Sequence, residues 1–163
     1  MNIALIGSGR MGRMIESLCE KDEGLHVAGF VGRTGYASLA DMEQVDAALD
    51  FSYPGNLESL LACAVAKKIP LVIGTTGLSK EQGEAICKAS REIPIVWADN
   101  FSTGVTVLCR LARMAAQSLG YDFDIEIVET HHRQKEDAPS GTAKQLLAYM
   151  DPKHEHEIVY GRE

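Results

Sequence analysis

A glycine motif between an apolar run and a helical pattern constrains the fold of this chain more than any other feature. Residues 2–6 predict a buried strand, and residues 13–20 predict a helix. The segment between them, Gly7-Ser-Gly-Arg-Met-Gly12, has GxGxxG spacing. In that position the first glycine permits a tight turn, the second lets the backbone approach a pyrophosphate, and the third lets helix and strand pack closely. The motif therefore predicts a dinucleotide site; the alternative is an ordinary glycine-rich strand-to-helix turn.

Strand and helix patterns alternate along the segment that follows. Further strands are predicted at residues 25–31, 45–51, 70–73 and 93–97, with helices at residues 56–68, 79–90 and 105–119. This order predicts an α/β fold with a doubly wound parallel sheet and right-handed crossovers. We predict a Rossmann-type dinucleotide-binding domain at residues 1–104. Residues 105–163 would form a hinge helix and the first part of an α+β substrate-binding, catalytic domain.

The end of the second predicted strand indicates which dinucleotide is preferred. NAD-specific sites usually place an acidic residue there for the ribose 2′-hydroxyl, whereas this chain has Gly32-Arg33-Thr34. A guanidinium can hold a 2′-phosphate, so Arg33 favours NADPH over NADH. The alternative is that Arg33 is a solvated loop residue. After the fourth strand, Gly74-Thr-Thr-Gly77 is a small polar turn suited to the nicotinamide side of the cofactor.

A basic cluster in the second half of the chain predicts an anion site. The chain carries a formal net charge of −7, yet four potential cations lie close together, at His131, His132, Arg133 and Lys135. Residues 123–128 alternate like a strand that would deliver this cluster. Ser140 is a plausible N-cap of a following helix, whose free N–H groups would also attract an anion. The alternatives are a plain surface loop and, more weakly, a metal site; no further ligand is spaced to complete one.

Composition excludes several other classes of protein. The acidic balance and the absence of a basic tract argue against a nucleic-acid partner. No apolar stretch approaches the roughly 20 residues that would span a membrane, and the N-terminus lacks the pattern of a signal peptide. The cysteines are well separated and form no CxxC pair; they are Cys19, Cys63, Cys87 and Cys109. Free thiols in a reducing cytoplasm are therefore expected, with no metal site.

Five segments together resemble the 4-hydroxy-tetrahydrodipicolinate (dihydrodipicolinate) reductase family of lysine and diaminopimelate biosynthesis. The most specific is Glu129-Thr-His-His-Arg-Gln-Lys-Glu-Asp-Ala-Pro-Ser-Gly-Thr-Ala143, which is similar to the family signature E-x-H-H-x-x-K-x-D-A-P-S-G-T-A at every fixed position. The other segments occur in the family's order; they are the Gly7–Gly12 motif, Asp50-Phe-Ser52, Gly74-Thr-Thr-Gly77 and Asn100-Phe-Ser102. The resemblance extends over the whole chain.

The resemblance implies an enzyme that uses NADPH or NADH to reduce a cyclic dicarboxylate to tetrahydrodipicolinate. It implies that His131 and Lys135 form the catalytic pair, and that the substrate is held by His132, Lys135, Ser140, Gly141 and Thr142. It also implies a set of cofactor-binding residues: Gly7, Ser8, Gly9, Arg10, Met11, Gly12, Arg33, Phe51, Gly74, Thr75, Thr76, Ala98, Asn100 and Phe101. Members of the family are usually cytoplasmic homotetramers joined through their substrate domains.

The expected reaction adds hydride at C4 of an unsaturated ring and a proton at C3, with His131 as the proton donor. Family members continue past Glu163, so the resemblance implies that the second domain is truncated here and that assembly and activity depend on what remains. Two other functions stay open. One is a different NAD(P)-dependent dehydrogenase of the same fold, which the 129–143 signature argues against. The other is a non-catalytic or incomplete nucleotide-binding fragment.

Overall fold

A computed structural model describes residues 1–33, 35–133 and 138–161. The chain divides into two compact units, Met1–Asp99 and Asn100–Glu163. We describe each unit by itself.

The first unit is built on a five-stranded parallel sheet in the order β2-β1-β3-β4-β5. Its strands are β1 (Asn2–Ile6), β2 (His26–Val31), β3 (Ala47–Asp50), β4 (Leu71–Ile73) and β5 (Ile95–Trp97). Its helices are α1 (Arg10–Cys19), α2 (Leu57–Lys67) and α3 (Lys80–Ala89). The predicted parallel sheet is confirmed. β2 to β5 begin one or two residues later than their patterns suggested, because those flanking residues make no ladder pairs.

The two faces of the sheet carry different helices. Alternate side chains of β1 point to opposite faces. Ile3 and Leu5 join the cluster that includes Cys19 of α1, whereas Ala4 and Ile6 join the cluster that contains the buried side chains of α2 and α3. Both faces of β1 are therefore covered, as expected for a central strand of a parallel sheet, whereas Val96 and Trp97 of the edge strand β5 are exposed. The carboxyl ends of β1, β3 and β4 lie side by side at one edge.

Ser79 is the N-cap of α3. Its side chain accepts a hydrogen bond from the Gln82 N–H, and the side-chain oxygen of Gln82 accepts one from the Ser79 N–H. This capping box satisfies two of the N–H groups that a helix leaves unpaired at its start.

In the part of the second unit that the structure describes, the α-helices are α4 (Thr103–Leu119) and α5 (Gly141–Met150), which pack against each other. Cys109 of α4 and Ala143 of α5 are buried. The predicted helix after residue 140 is confirmed, with Ser140 as its N-cap accepting a hydrogen bond from the Ala143 N–H at 3.1 Å.

The strand predicted at residues 123–128 is wrong, and residues 157–160, whose sequence is also strand-like, form no strand. Both segments run without regular structure. A strand needs a hydrogen-bonding neighbour, and in the part of the second unit that the structure describes no segment pairs with either one. Their apolar side chains are correspondingly exposed, Val128 at 87% and Val159 at 78%.

Among the described residues, no helix is long and apolar enough to cross a membrane. The four cysteines are free thiols, with Cys19 and Cys109 buried.

Candidate functional site

The glycine loop between β1 and α1 has a backbone that only glycine fits well. Gly7 has φ of +96°, and a Cβ on it would lie 2.8 Å from the carbonyl oxygen of Phe51. Its N–H donates to the Val31 carbonyl at 2.9 Å. Gly12 is buried in the first turn of α1, where a Cβ would overlap the Gly7 carbonyl oxygen. The loop therefore packs closely against the residues that follow β3 on one side and against α1 on the other.

The N-terminus of α1 offers an opening that suits a pyrophosphate. Gly9 is the N-cap, no side chain caps the helix, and a Cβ on Gly9 would meet nothing within 4 Å. Ser8 is half-buried, and Arg10 and Met11 are exposed around this opening. Uncapped N–H groups at the positive end of a helix favour an anion. The residues present thus fit the diphosphate of a dinucleotide.

A buried carboxyl group links the ends of β3 and β4. Asp50 is fully buried and accepts hydrogen bonds from the Ser52 hydroxyl at 2.6 Å, the Ser52 N–H at 3.1 Å and the Thr75 hydroxyl at 2.9 Å. The Ser52 N–H also lies 3.0 Å from the Thr75 oxygen. A Cβ on Gly74 would overlap the Phe51 ring. The structure therefore brings together the predicted residues Phe51, Gly74 and Thr75, through an acidic residue whose role the sequence did not reveal.

The remaining residues that were predicted to bind the cofactor belong to both units of the chain. Arg33 is exposed just after β2, while its neighbour Thr34 lies outside the described residues. Thr76 is exposed after β4, and Ala98 follows β5 with its N–H donating to the Ile73 carbonyl at 3.2 Å.

Asn100 and Phe101 belong to the second unit, where the Asn100 side-chain oxygen accepts from the Ser102 N–H at 2.7 Å. The Asn100 amide nitrogen is 3.5 Å from the Thr142 hydroxyl.

The second unit joins His131 to the start of α5 through Glu129. One Glu129 oxygen, Oε2, lies 2.8 Å from His131 Nε2 and accepts a hydrogen bond from the Ser140 hydroxyl. The other, Oε1, accepts the Ser140 N–H at 2.9 Å. The side chains of His131 and Glu129 are 37% and 28% exposed. Glu129 was part of the recognised signature, but its link to both residues was not predicted.

These donors lower the pKa of Glu129 to about 2, the His131 hydrogen bond contributing most and the two Ser140 hydrogen bonds next. Hydrogen bonds to the ionised form of a carboxyl group stabilise that form. Glu129 is therefore a carboxylate under ordinary conditions and can act only as an acceptor.

The other predicted substrate residues are placed as follows. His132 is exposed beside His131, and Gly141 and Thr142 form the first turn of α5. Ser140 has both of its donor groups engaged by Glu129. Lys135 lies outside the described residues. In the described ranges, no group of three or more His, Cys, Asp or Glu residues could hold a metal ion.

The parallel sheet with a glycine loop at the N-terminus of its first helix defines the class of protein, a Rossmann-type oxidoreductase. Family models described as dihydrodipicolinate reductase, N-terminus, and dihydrodipicolinate reductase, C-terminus, match residues 1–101 and 104–161. The chain belongs to the dihydrodipicolinate reductase family. The resemblance found in the sequence is thereby confirmed.

Curated relatives agree with this assignment. The chain is 41% identical to a 4-hydroxy-tetrahydrodipicolinate reductase of Pseudoalteromonas atlantica, over 99% of this chain and 70% of the relative. It is 44% identical to an enzyme of the same name from Akkermansia muciniphila, over 96% of this chain and 65% of the relative. The chain thus spans about two thirds of the length of these relatives.

Solved structures support the fold. A dipicolinate-bound dihydrodipicolinate reductase from Paenisporosarcina sp. TG-14 superposes with a TM-score of 0.74 at 24% identity, covering 100% of this chain and 70% of that one. An oxidoreductase from Agrobacterium radiobacter, in complex with NAD+, L-tartaric acid and magnesium, gives 0.57 at 16% identity and covers 73% of this chain and 40% of that one.

Proposed function

We propose that this chain catalyses the NAD(P)H-dependent reduction of 4-hydroxy-tetrahydrodipicolinate, or its dehydrated form dihydrodipicolinate, to tetrahydrodipicolinate. The observation that carries the proposal is the Glu129–His131–Ser140 cluster at the start of α5, because it places an imidazole beside helix N–H groups suited to a carboxylate. The glycine loop of the first unit supplies the cofactor site. The matched relatives bear the name of this reaction.

Residues of the first unit would bind and orient the cofactor. The N–H groups at the start of α1 would hold its diphosphate, while Phe51, Gly74 and Thr75 would shape the part of the site at the ends of β3 and β4. When bound, NADPH or NADH supplies the hydride that is added to the ring. Asp50 holds the Thr75 hydroxyl inward, so the turn after β4 keeps its shape.

Residues of the second unit would bind the dicarboxylate and supply the proton. His131 is the proposed acid that protonates the ring carbon next to the hydride acceptor, because an imidazole can carry a proton near neutral pH. Lys135 would attract one carboxylate as a compact cation and assist the proton step. The N–H groups of Gly141 and Thr142 would fix the second carboxylate. His132 would contribute a further donor.

The kinetics of two variants test these roles. His131→Ala should lower kcat by about 10²- to 10⁴-fold, the usual contribution of a general acid, with little change in KM for the dicarboxylate. Lys135→Ala should lower kcat and also raise KM. His26→Ala is the matched control, since this imidazole is exposed on β2. Full activity in both site variants would reject the assignment.

We further propose NADPH as the preferred cofactor, with Arg33 as the residue that holds its 2′-phosphate. Arg33 is exposed just after β2, and in dinucleotide-binding folds the residue that contacts the adenosine ribose follows this strand. Arg33→Ala should weaken NADPH binding at least about tenfold and leave NADH binding nearly unchanged. Arg91→Ala, an exposed arginine after α3, is the control for a general loss of positive charge. Equal losses for the two cofactors would show that Arg33 does not hold the phosphate.

The family resemblance also supports a cytoplasmic homotetramer, joined through the substrate domains that begin at residue 105. Light scattering coupled to size-exclusion chromatography would test the assembly, and a monomer at working concentration would contradict it.

A second candidate function is cofactor binding without turnover. It is favoured by the glycine loop and the uncapped start of α1, which suit a dinucleotide and lie wholly in the first unit. Calorimetric titration with NADPH, run beside the activity assay, separates the two candidates.

A further inference from the structure

We infer that Glu129 is a positioning residue that turns His131 so that Nδ1, not Nε2, delivers the proton to the substrate. This inference rests on the proposed function and specifies how its acid is held. The contact that carries it is the 2.8 Å approach of His131 Nε2 to Glu129 Oε2.

The carboxylate of Glu129 is itself fixed from two directions. Its Oε1 accepts the Ser140 N–H at 2.9 Å, and its Oε2 accepts the Ser140 hydroxyl. The same hydroxyl oxygen accepts the Ala143 N–H inside the first turn of α5. Two hydrogen bonds thus tie the Glu129 side chain to Ser140, and a third ties the Ser140 hydroxyl to the first turn of the helix. These hydrogen bonds are needed because residues 129 and 131 lie in a segment without regular structure, which by itself would not hold their side chains in place.

A carboxylate that only accepts hydrogen bonds determines which ring nitrogen carries the proton. Because Nε2 faces Glu129 Oε2, it must be the N–H of the neutral ring. Nδ1 is then the nitrogen that gains and loses the catalytic proton. The ring is 37% exposed, and among the described residues the structure gives Nδ1 no partner, so Nδ1 is the nitrogen left for a substrate. In a Ser-His-Asp triad a carboxylate likewise orients the catalytic histidine, by accepting a hydrogen bond from the ring nitrogen that does not transfer the proton.

The same contacts narrow the choice of groups that bind the substrate carboxylate. Both donors of Ser140 are occupied by Glu129. The N–H groups of Gly141 and Thr142 are the donors left at the start of α5. In this arrangement Ser140 holds Glu129 and, through it, His131 in place, which leaves the N–H groups of Gly141 and Thr142 for the dicarboxylate.

Kinetics of Glu129→Gln test the positioning role. The substitution keeps the size of the side chain but replaces one acceptor oxygen by an NH2 group, so the oriented pair with His131 is lost. We expect kcat to fall about 10²-fold, within the contribution of a general acid, with a smaller change in KM for the dicarboxylate. Asp124→Asn removes an exposed carboxylate five positions earlier and should leave kcat within twofold of the unmodified chain. Thermal unfolding of each variant checks that it is folded.

A double-variant cycle shows whether Glu129 works through His131. In a His131→Ala background, Glu129→Gln should cause almost no further loss of kcat, because the group it positions is absent. A further loss as large as in the native background would overturn the inference, and so would an unchanged kcat in the single variant.

Nuclear magnetic resonance of the ¹⁵N-labelled ring tests the same contact without turnover. At a pH where the ring is neutral, His131 in the unmodified chain should show the Nε2–H tautomer, and Glu129→Gln should raise the share of Nδ1–H. The same spectrum in both proteins would overturn the inference. Because this readout needs no substrate, an inactive chain with the expected tautomer would reject the proposed reaction while leaving the role of Glu129 supported.

Discussion

Acidic side chains determine much of the local geometry at the scale of single residues. Asp50 and Glu129 both sit among donors from serine, threonine or histidine and from the backbone. Each joins segments that are distant in sequence, Asp50 to Thr75 across 25 residues and Glu129 to Ser140 across 11. The two residues differ in burial, since Asp50 is fully buried and the Glu129 side chain is 28% exposed. We therefore expect Asp50 and Glu129 to contribute differently to the free energy of unfolding.

Asp50→Ala should lower the free energy of unfolding by about 3 kcal/mol. The substitution leaves the Ser52 and Thr75 groups without their buried acceptor, and an unsatisfied buried polar group is costly. Chemical denaturation measures the effect. Glu23→Ala removes an exposed carboxylate from the same unit and should cost less than about 0.5 kcal/mol. Equal effects for the two variants would show that the Asp50 hydrogen bonds contribute nothing to stability.

The lowered pKa of Glu129 predicts a pH-dependent contribution to stability. Its folded-state pKa of about 2 lies below its ordinary value of 4.5. The contribution is therefore complete above about pH 4.5 and is lost as the pH falls toward 2. The difference in unfolding free energy between the unmodified chain and Glu129→Gln should shrink across that window. A difference that stays constant from pH 6 down to about 2 would contradict the shifted pKa.

Single residues also show how far the sequence can be used for prediction. Ser140 was predicted as an N-cap because a cap depends on a local pattern, and the structure confirms it. The roles of Glu129 and Asp50 were not predicted, since they depend on which distant donors the fold brings near. Both residues lie in segments that carry the family resemblance, Asp50-Phe-Ser52 and the 129–143 signature, but neither segment indicates which donors its acidic residue contacts.

At the scale of elements, the alternation of apolar runs and helical patterns was sufficient to predict the parallel sheet. Each strand of the first unit pairs with a neighbouring strand, and most of their apolar side chains belong to the core, so periodicity and tertiary structure agree. The segment at residues 123–128 has the same periodicity but no pairing partner among the described residues. Alternation predicts a strand only where a second strand is present to satisfy its N–H and C=O groups.

Two glycines of the loop between β1 and α1 give a prediction at the scale of elements, because each variant serves as the control for the other. Gly12→Ala should destabilise the first unit by at least about 2 kcal/mol, because its Cβ would overlap the Gly7 carbonyl oxygen and α1 would have to move. Gly9→Ala should fold normally, since a Cβ there meets nothing within 4 Å and the backbone is extended, with φ of −76°. The added methyl group would instead occupy the space proposed for the diphosphate. Gly9→Ala should therefore weaken NADPH binding while leaving the unfolding temperature nearly unchanged.

Calorimetry and thermal unfolding of the two glycine variants check this contrast. If Gly9→Ala binds NADPH as tightly as the unmodified chain, the cofactor does not lie over the N-terminus of α1. If Gly12→Ala is as stable as the unmodified chain, the close packing of α1 on the loop is not needed for the fold.

At the scale of the whole molecule, the two units carry separate parts of one proposed reaction. The first unit holds the residues suited to a dinucleotide, and the second holds the imidazole, the positioning carboxylate and the helix N–H groups suited to a dicarboxylate. The family models match both units, at residues 1–101 and 104–161. In the proposed reaction, turnover would require both units, whereas most of the residues proposed to bind the cofactor belong to the first.

The most direct test of the reductase assignment is the loss of NADPH absorbance when freshly generated dihydrodipicolinate is added to the purified chain, with NADH run in parallel. We predict a decrease that depends on both substrate and protein, that is faster with NADPH, and that nearly disappears in His131→Ala. No decrease with either cofactor, in a folded sample that binds NADPH, would contradict the assignment and favour cofactor binding without turnover.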